Sequence, residues 1–509
     1  MANPRRTEVI ETDVLVIGGG LGGAYAAIKA REAGVSKVTL VSKGKLGKDS
    51  VATFAAGVWA GGFFPEEDDR DTEFKKIALS EGLGAGLYDE EWLNVFLDES
   101  YQRLVEMDSW GVEWEKTSDG RFERKECRWK QKMAMFHGQQ MMEAMARKVI
   151  ASGVQAIGFT MLTELLTEGG EPGRRVTGAI GFNVQTGEPV VFKARAIVMA
   201  TGACAYKGRN AFNKFATGDG YWMAYRAGAK LGMFEIGEIL QGSLREFDTV
   251  GWNMFVGLGA VFRNGKGERF LLEYAPEYGD HASLATVAEA SAMEVRAGRG
   301  PIYLDMTSYK PNDVRKLRTA CPVPAMMLES AGVMAGDRIV KQVEWLNCVN
   351  GSIALGGGIV TDVRCQTSLP GLFACGDARA RGRASATQLP GAAVSGARAG
   401  TYAAQYAKQS AEPKIDTRQL EQCQKLTYAP LDRKDGIEPD HVIIAVQEAV
   451  FPYEVTVISR GDRMEKAIAE IERIREDEVP LLYASDPHYL RIANEARNCV
   501  LFAEMQLRS

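Results

Sequence analysis

The stretch Asp13–Gly34, DVLVIGGGLGGAYAAIKAREAG, constrains the fold of this 509-residue chain more than any other. Val14–Ile17 is a short apolar run rich in β-branched residues, the pattern of a strand buried on both faces. Gly18, Gly20 and Gly23 follow in G-x-G-x-x-G spacing, and Ala24–Ala33 continues as a helix of small residues. One glycine of such a set turns the chain sharply, one lets the backbone approach a pyrophosphate, and one lets the helix pack close to the sheet. The helix N-terminus then presents free N–H groups and a positive dipole end to the phosphates. With a second strand at Lys37–Val41 the unit reads as a dinucleotide site.

The rest of the chain is arranged around that unit. Residues 42–62, SKGKLGKDSVATFAAGVWAGG, are rich in glycine and alanine, which suits a loop threaded close to a flat cofactor. Helical spacing runs through 72–110 at Leu93, Phe96, Leu97, Tyr101 and Leu104. Trp110–Trp129 is strongly charged and is predicted to lie at the surface, and a further helix is expected over Phe136–Ile150. Val176–Val184 and Val190–Phe192 read as antiparallel strands about Thr186–Gly187. ARAIVMATGAC, residues 194–204, is a second buried strand entering a tight turn, and TGDG at 217–220 opens another small-residue helix. Residues 235–345 differ in character and carry a basic segment at Lys310–Arg318. Dinucleotide character then returns in GGGIVTD (356–362), LPGLFACGDA (369–378) and a glycine-rich helix reaching Gly400. This return predicts one domain built from 1–234 and 346–405, a second inserted at 235–345, and a helical third at 410–509. Met464, Ala467, Ile468, Ile471 and Ile474 mark one face of a helix in the third.

Composition excludes several classes of function. A net charge of −5 gives no basic footprint, so a nucleic-acid partner is not expected. No apolar run reaches the ~18 residues of a membrane span, which argues against membrane insertion. The opening MANPRRTEVIETD lacks the apolar core of a secretion signal, so the cytoplasm is the expected compartment. Eight scattered cysteines without C-x-x-C spacing predict no disulfide framework, no bound metal and no iron–sulfur cluster held by this chain itself.

Six motifs stand in order: GxGxxG at 18–23, ATGA at 200–203, TGDG at 217–220, GRGPIYLDM at 298–306, GGGIVTD at 356–362 and LFACGDA at 372–378. As a set they resemble the flavoprotein subunits of the fumarate reductase/succinate dehydrogenase superfamily, which includes L-aspartate oxidase and the adenylylsulfate reductase α subunit, over nearly the whole chain. The resemblance implies an α/β fold: a Rossmann-like FAD-binding domain, an inserted α+β capping domain and a C-terminal helical domain. It also implies FAD as cofactor and an oxidoreductase activity. With no cluster ligands of its own, the chain would exchange electrons with a ferredoxin-like iron–sulfur partner or a free donor. An oligomer is left open.

The cofactor shell that the resemblance implies comes from several loops. Gly18, Gly20, Leu21, Gly22 and Gly23 would hold the pyrophosphate. Ser42, Lys43 and Gly44 end the second strand, where many dinucleotide folds place an acidic residue on the adenosine ribose; Ser42 or a backbone group must serve here. Ser50, Ala52, Thr53 and Ala55 line the small-residue loop, and Ala200, Thr201, Gly202 and Asp219 come from the middle motifs. Gly376, Asp377, Gln388 and Ala392 complete the shell. Asp377 is placed to accept a hydrogen bond from a ribityl hydroxyl, and a helix-capping role is compatible with that. In relatives with covalent FAD a histidine precedes the small-residue loop. The corresponding place is near Ser50, and no histidine occurs before His137, so FAD is predicted to bind non-covalently.

The dicarboxylate machinery of these relatives does not carry over. FVGLGAVFRNGKGERF (255–270) has no arginine ahead of its glycines, and FEIGEILQGS (234–243) and NGSIALGGGIVTD (350–362) lack the expected histidines. Gln388 stands near the place of a further arginine. The spacing of VGWNMFVGLGAVFRNGKGERF and SDPHYLRIANEARNCVLFAEM is nearer to the adenylylsulfate reductase branch. Candidate catalytic groups are therefore sought among the remaining polar residues. His137 is a candidate proton donor or a structural histidine, and His281 is an alternative acid. Arg245, Arg263 and Arg269 in the predicted cap could close over a substrate, with Arg269 more plausibly structural. Arg379, Arg381 and Arg383 follow Asp377 and read either as an anion-holding cluster or as a solvated basic loop. Trp129, Trp222 and Trp252 read as core residues before ligand-stacking ones. The implied reaction is two-electron exchange with a small, anionic substrate. The other readings are an electron-relay or structural component with a decayed substrate site, and an oxidase that uses oxygen directly.

Overall fold

The computed structural model describes residues 8–54, 57–59, 63–79, 88–127, 130–208, 214–235, 242–245, 252–347, 357–380, 388–456 and 459–509. Its centre is a seven-stranded sheet made of β1 (Glu8–Ile17), β2 (Val38–Val41), β3 (Gln155–Ile157), β4 (Thr160–Thr167), β5 (Val176–Asn183), β6 (Pro189–Met199) and β7 (Leu372–Ala374). The order β3-β2-β1-β6 is parallel throughout. The second edge of β6 is shared: its first half pairs antiparallel with β5, its second half parallel with β7. Residues 194–199 and Val190–Phe192 are thus one strand rather than two. Lys193 and Arg195 interrupt the apolar run, but they lie two apart on one face, where Lys193 pairs with Glu11 and Arg195 with Asp13 and Glu412.

Alternation along β1 assigns the two faces. Val14 and Val16 enter one core with α1 (Leu21–Glu32), α2 (Glu90–Ser109), α3 (Gly138–Ala151) and part of α5 (Gln388–Gln409), whereas Leu15 and Ile17 enter the other. That second core holds α4 (Asp219–Ala227) and the apolar side of α6 (Pro487–Arg508). Further helices at Thr417–Tyr428, Pro439–Val450 and Gly461–Arg473 adjoin α6. In the last of these Ala467 and Ile471 are buried, followed by Ile474, as the helical spacing predicts. Among the described residues no helix is long and apolar enough to cross a membrane.

Trp110–Trp129 is not simply a surface segment. Val112, Trp114 and Cys127 are buried, and Arg124–Glu126 joins Lys132–Met135 and Val58–Trp59 in a three-stranded antiparallel sheet. The charges that suggested a solvated stretch alternate with apolar residues facing inward. Arg124 itself is held by Asp68 (2.8 Å) and lies 4.1 Å from the Phe64 ring centroid.

Residues 242–347 build a second unit around a four-stranded antiparallel sheet in the order Gly242–Leu244, Val343–Asn347, Ile302–Asp305, Val261–Arg263. Leu284–Arg296, Pro311–Ala320 and Pro322–Ser330 are its main helices. Glu294 is buried here among Arg299 (2.6 Å), Asn264 (2.9 Å) and Tyr274 (2.9 Å). The Arg299 hydrogen bond brings its carboxyl down from 4.5 to about 2, against the opposing pull of burial. A depressed carboxyl stabilises the fold above its unfolded value and loses that contribution as pH falls through the folded value. Acid melts should therefore show a loss of stability between pH 4.5 and about 2 that Glu294→Gln removes; an acid limb of unchanged slope in the variant would contradict this.

Candidate functional site

The site is assembled at the carboxyl ends of β1, β2, β6 and β7, the crevice where open α/β sheets bind ligands. Gly18 follows β1 with φ +118°, and a Cβ there would stand 2.1 Å from the carbonyl oxygen of Ala200. Gly23 is as tightly placed, since its Cβ would lie 1.9 Å from the Gly18 carbonyl oxygen. Gly20, between them, is different: a Cβ would meet only Ser50 Cβ at 4.0 Å. Gly20 is the N-cap of α1, whose first turn has no side-chain cap and no acidic residue. The backbone N–H groups at that end are therefore open to an external anion. Leu21 begins the helix and is buried.

The other predicted shell residues close around this turn. Ala200 N donates to Ile17 O (2.8 Å), which sets the end of β6 beside that of β1. Thr201 Oγ1 is buried and makes no hydrogen bond to the described residues, and a Cβ on Gly202 (φ +76°) would meet no atom within 4 Å. Gly22, Cys375, Gly376 and Ala392 converge: a Cβ on Gly22 would lie 3.4 Å from both Ala392 O and Cys375 Sγ. Gly376 N donates to Ser395 Oγ (2.9 Å). The Asp377 carbonyl lies 2.8 Å from the Tyr221 hydroxyl. In the small-residue loop Ser50 and Thr53 share a hydroxyl–hydroxyl bond (2.9 Å), with Ala52 half-buried beside them. Ser42 is buried, donates to Gly44 O (2.7 Å) and lies under Gly19. Gln388 opens α5. Ala55, Arg381 and Arg383 lie outside the described residues.

An open helix N-terminus, a glycine with room above it and a buried hydroxyl with no partner among the described residues fit a dinucleotide cofactor such as FAD. Lys43 and Asp219 are engaged with the protein itself. Lys43 Nζ lies 2.9 Å from Asp219 Oδ2, 2.7 Å from Thr217 Oγ1 and 2.7 Å from Glu495 Oε1 of α6. Glu495 is fully buried and also receives Lys207 (2.7 Å) and Arg491 (2.8 Å). Burial alone would raise the Glu495 carboxyl, but Lys43, Lys207 and Arg491 hold it well below the usual carboxylate range. Burial likewise pulls on the Lys43 ammonium, and Asp219 and Glu495 outweigh it and raise it. Sequence reading missed Glu495 and Lys207. The visible signal was the polar run Asn494, Glu495, Arg497, Asn498 inside a helix whose every residue from 492 to 500 is buried.

The catalytic candidates are dispersed. His137 is the N-cap residue of α3, with Nδ1 2.8 Å from Glu113 and Nε2 3.4 Å from Glu115. Arg245 pairs with Glu344 (2.9 Å), Arg263 with Asp305 (2.9 Å) and Arg269 with Asp280. His281 Nδ1 stands 2.7 Å from Cys127 O, which ties the 242–347 unit to the three-stranded sheet. Arg379 is not part of a solvated loop. It is 2% exposed, with its guanidinium 3.7 Å from the Trp92 ring centroid.

Comparison with known proteins places this geometry. The FAD binding domain model matches residues 13–394, three quarters of the chain. A subunit of the fumarate reductase (CoM/CoB) of Methanothermobacter marburgensis is 27% identical over 531 aligned residues, covering 99% of this chain and 92% of that protein. Adenylylsulfate reductase from Archaeoglobus fulgidus shares the fold with a TM-score of 0.82 at 22% identity, covering 99% of this chain and 89% of that one. E. coli quinol fumarate reductase does so at 0.84 and 21%, covering 98% and 89%. With the glycine cradle and the open α1 terminus in place, the chain belongs to the FAD binding domain family and is an FAD-dependent oxidoreductase.

Proposed function

We propose that this chain is a flavoprotein subunit that binds FAD non-covalently and exchanges two electrons between a small anionic substrate and an iron–sulfur partner. The observation that carries the reading is the cradle formed by Gly18, Gly20 and the uncapped α1 terminus, in a chain similar from end to end to the CoM/CoB fumarate reductase chain. FAD supplies the electron-exchange chemistry; the protein supplies orientation, charge and exclusion of water. The α1 N–H groups hold the pyrophosphate, the Thr201 hydroxyl offers a hydrogen bond, and the Asp377 carboxylate accepts one from the ribityl chain. Ser42 stands on the adenosine side in place of a carboxylate. Arg379 is held buried two residues beyond Asp377, with its guanidinium over the Trp92 ring. The FAD-binding part comprises 1–234 and 346–405, residues 235–345 cover the flavin and substrate, and 410–509 buttress the sheet. The place of the histidine that links FAD covalently in one branch of relatives falls near Ser50, and no histidine precedes His137. Because the dicarboxylate-handling residues are replaced, a substrate other than fumarate is favoured.

The test is one preparation examined in two ways. Acid precipitation should leave the flavin in the supernatant; flavin in the pellet would refute non-covalent binding. The anaerobically reduced holoprotein should then be reoxidised by at least one member of a panel of small carboxylates and sulfur oxyanions. Failure of the whole panel, with electron exchange to a reduced or oxidised ferredoxin intact, would instead identify a relay subunit. Fast reoxidation by oxygen with stoichiometric peroxide would identify an oxidase.

A further inference from the structure

The turn after the Ala200–Gly202 loop is held in an unfavourable conformation. Tyr206 and Lys207 are consecutive non-glycine residues with φ +54° and +52°. Left-handed backbone at two bulky residues in a row persists only where the surroundings over-determine it. The restraints come from the C-terminal helices. Lys207 Nζ donates to Glu495 (2.7 Å), the Tyr206 hydroxyl bonds Gln506, and Gln447 Nε2 donates to Tyr206 O (2.7 Å). The Tyr206 ring packs against Phe451 and Phe502. Glu495 simultaneously holds Lys43, the residue after Ser42 at the end of β2. One buried carboxylate of α6 thus joins the two loops that flank the cofactor crevice, the one after β2 and the one after β6. Without its charge, Lys43, Lys207 and Arg491 would lose the carboxylate they share, and Lys43 would keep Asp219.

We propose that Glu495 is a positioning residue for FAD: it draws Lys43 and Lys207 together and so fixes the β2 and β6 loops in the conformation that receives the cofactor. It acts by preorganisation rather than by contact with FAD. The inference rests on FAD lying against the α1 glycine turn, and the experiment keeps the two apart. FAD dissociation constants are measured by flavin fluorescence on apoprotein prepared from wild type, Glu495→Gln, Lys207→Met and the double variant, with the melting temperature of each apoprotein. Wild type that does not bind FAD would overturn the site itself. If the proposal holds, Glu495→Gln weakens FAD by about tenfold, more than its loss of apoprotein stability accounts for. The double variant then binds better than the sum of the single effects predicts, because one of the cations that lose their carboxylate in Glu495→Gln has been removed. Unchanged FAD affinity in Glu495→Gln, or strictly additive effects, would overturn the proposal. Should Glu495→Gln not fold, Lys207→Met alone decides: its charge is at the edge of the cluster, and FAD binding equal to wild type would refute the clamp.

Discussion

Gly23→Ala should yield a protein that is colourless and destabilised by about 3 kcal/mol or more. In an ordinary helix the substitution would help, since alanine is favoured over glycine by about 1 kcal/mol. Here the added methyl would meet the Gly18 carbonyl oxygen at 1.9 Å and Ala200 Cβ at 3.3 Å. Neither neighbour can give way. Gly18 is itself pressed against Ala200, and each residue directly follows a central strand. Gly20→Ala is the informative contrast. Its methyl enters open space, so the apoprotein should melt within about 0.5 kcal/mol of wild type while FAD retention falls sharply. Comparable thermal stability and flavin content in Gly23→Ala and wild type would contradict the geometry. Equal flavin content in Gly20→Ala and wild type would remove the phosphates from this turn.

Glu164→Ala is expected to cost about 3–5 kcal/mol in a urea unfolding experiment, the range for removing one partner of a buried ion pair. Glu164 is 2% exposed on β4 and accepts hydrogen bonds from Trp222 Nε1 and Arg226 Nε, both 2.8 Å, with Arg497 of α6 at 3.9 Å. Arg497 also lies 4.3 Å from the Trp222 ring centroid. Burial draws its guanidinium down to about 10, and Glu164 is the neighbour that opposes this most. Removing the carboxylate leaves that cation stranded in the core. Replacing Glu164 and Arg497 together by leucine should recover much of the loss, because two desolvated charges disappear at once. A Glu164→Ala protein with a wild-type midpoint would show that the cluster contributes nothing net.

The parts of this fold that could be read from sequence are those governed by local pattern. β1, the glycine turn and α1 follow from a β-branched run, fixed glycine spacing and a small-residue helix within 22 consecutive residues. The return of dinucleotide character near 356–400 likewise matches β7 and α5, which dock on the first unit. Where the reading stopped short, the deciding partner was distant. Nothing local shows that Lys43 meets Glu495, or that His137 faces Glu113 and Glu115. Arg379 looked like one member of a basic run, and only the fold brings Trp92 beneath it. Arg245, Arg263 and Arg269 had the right charge for an anionic substrate, yet each meets an acidic neighbour on the same unit. Pairwise electrostatics between separate elements leaves no periodic trace for a sequence to display.

The contact between α1 and α5 has a consequence for how the molecule is made. Gly396 and Gly400 let α5 lie so close to α1 that a Cβ on either would strike backbone, at Gly22 O and Ala26 O respectively. α1 therefore completes its packing only with a segment synthesised 374 residues after Gly22. At ribosomal speeds of about 5–20 residues per second that is an interval of roughly 20–75 s. During it, the nascent chain carries a bare stripe of glycine and alanine beside an unfinished sheet, while the 242–347 unit emerges with a core that it shares with Val58, Met133, Met135 and Ala203. Maturation of the flavin site is thus a late event of translation, and chaperone engagement should end only after residue 400 clears the tunnel.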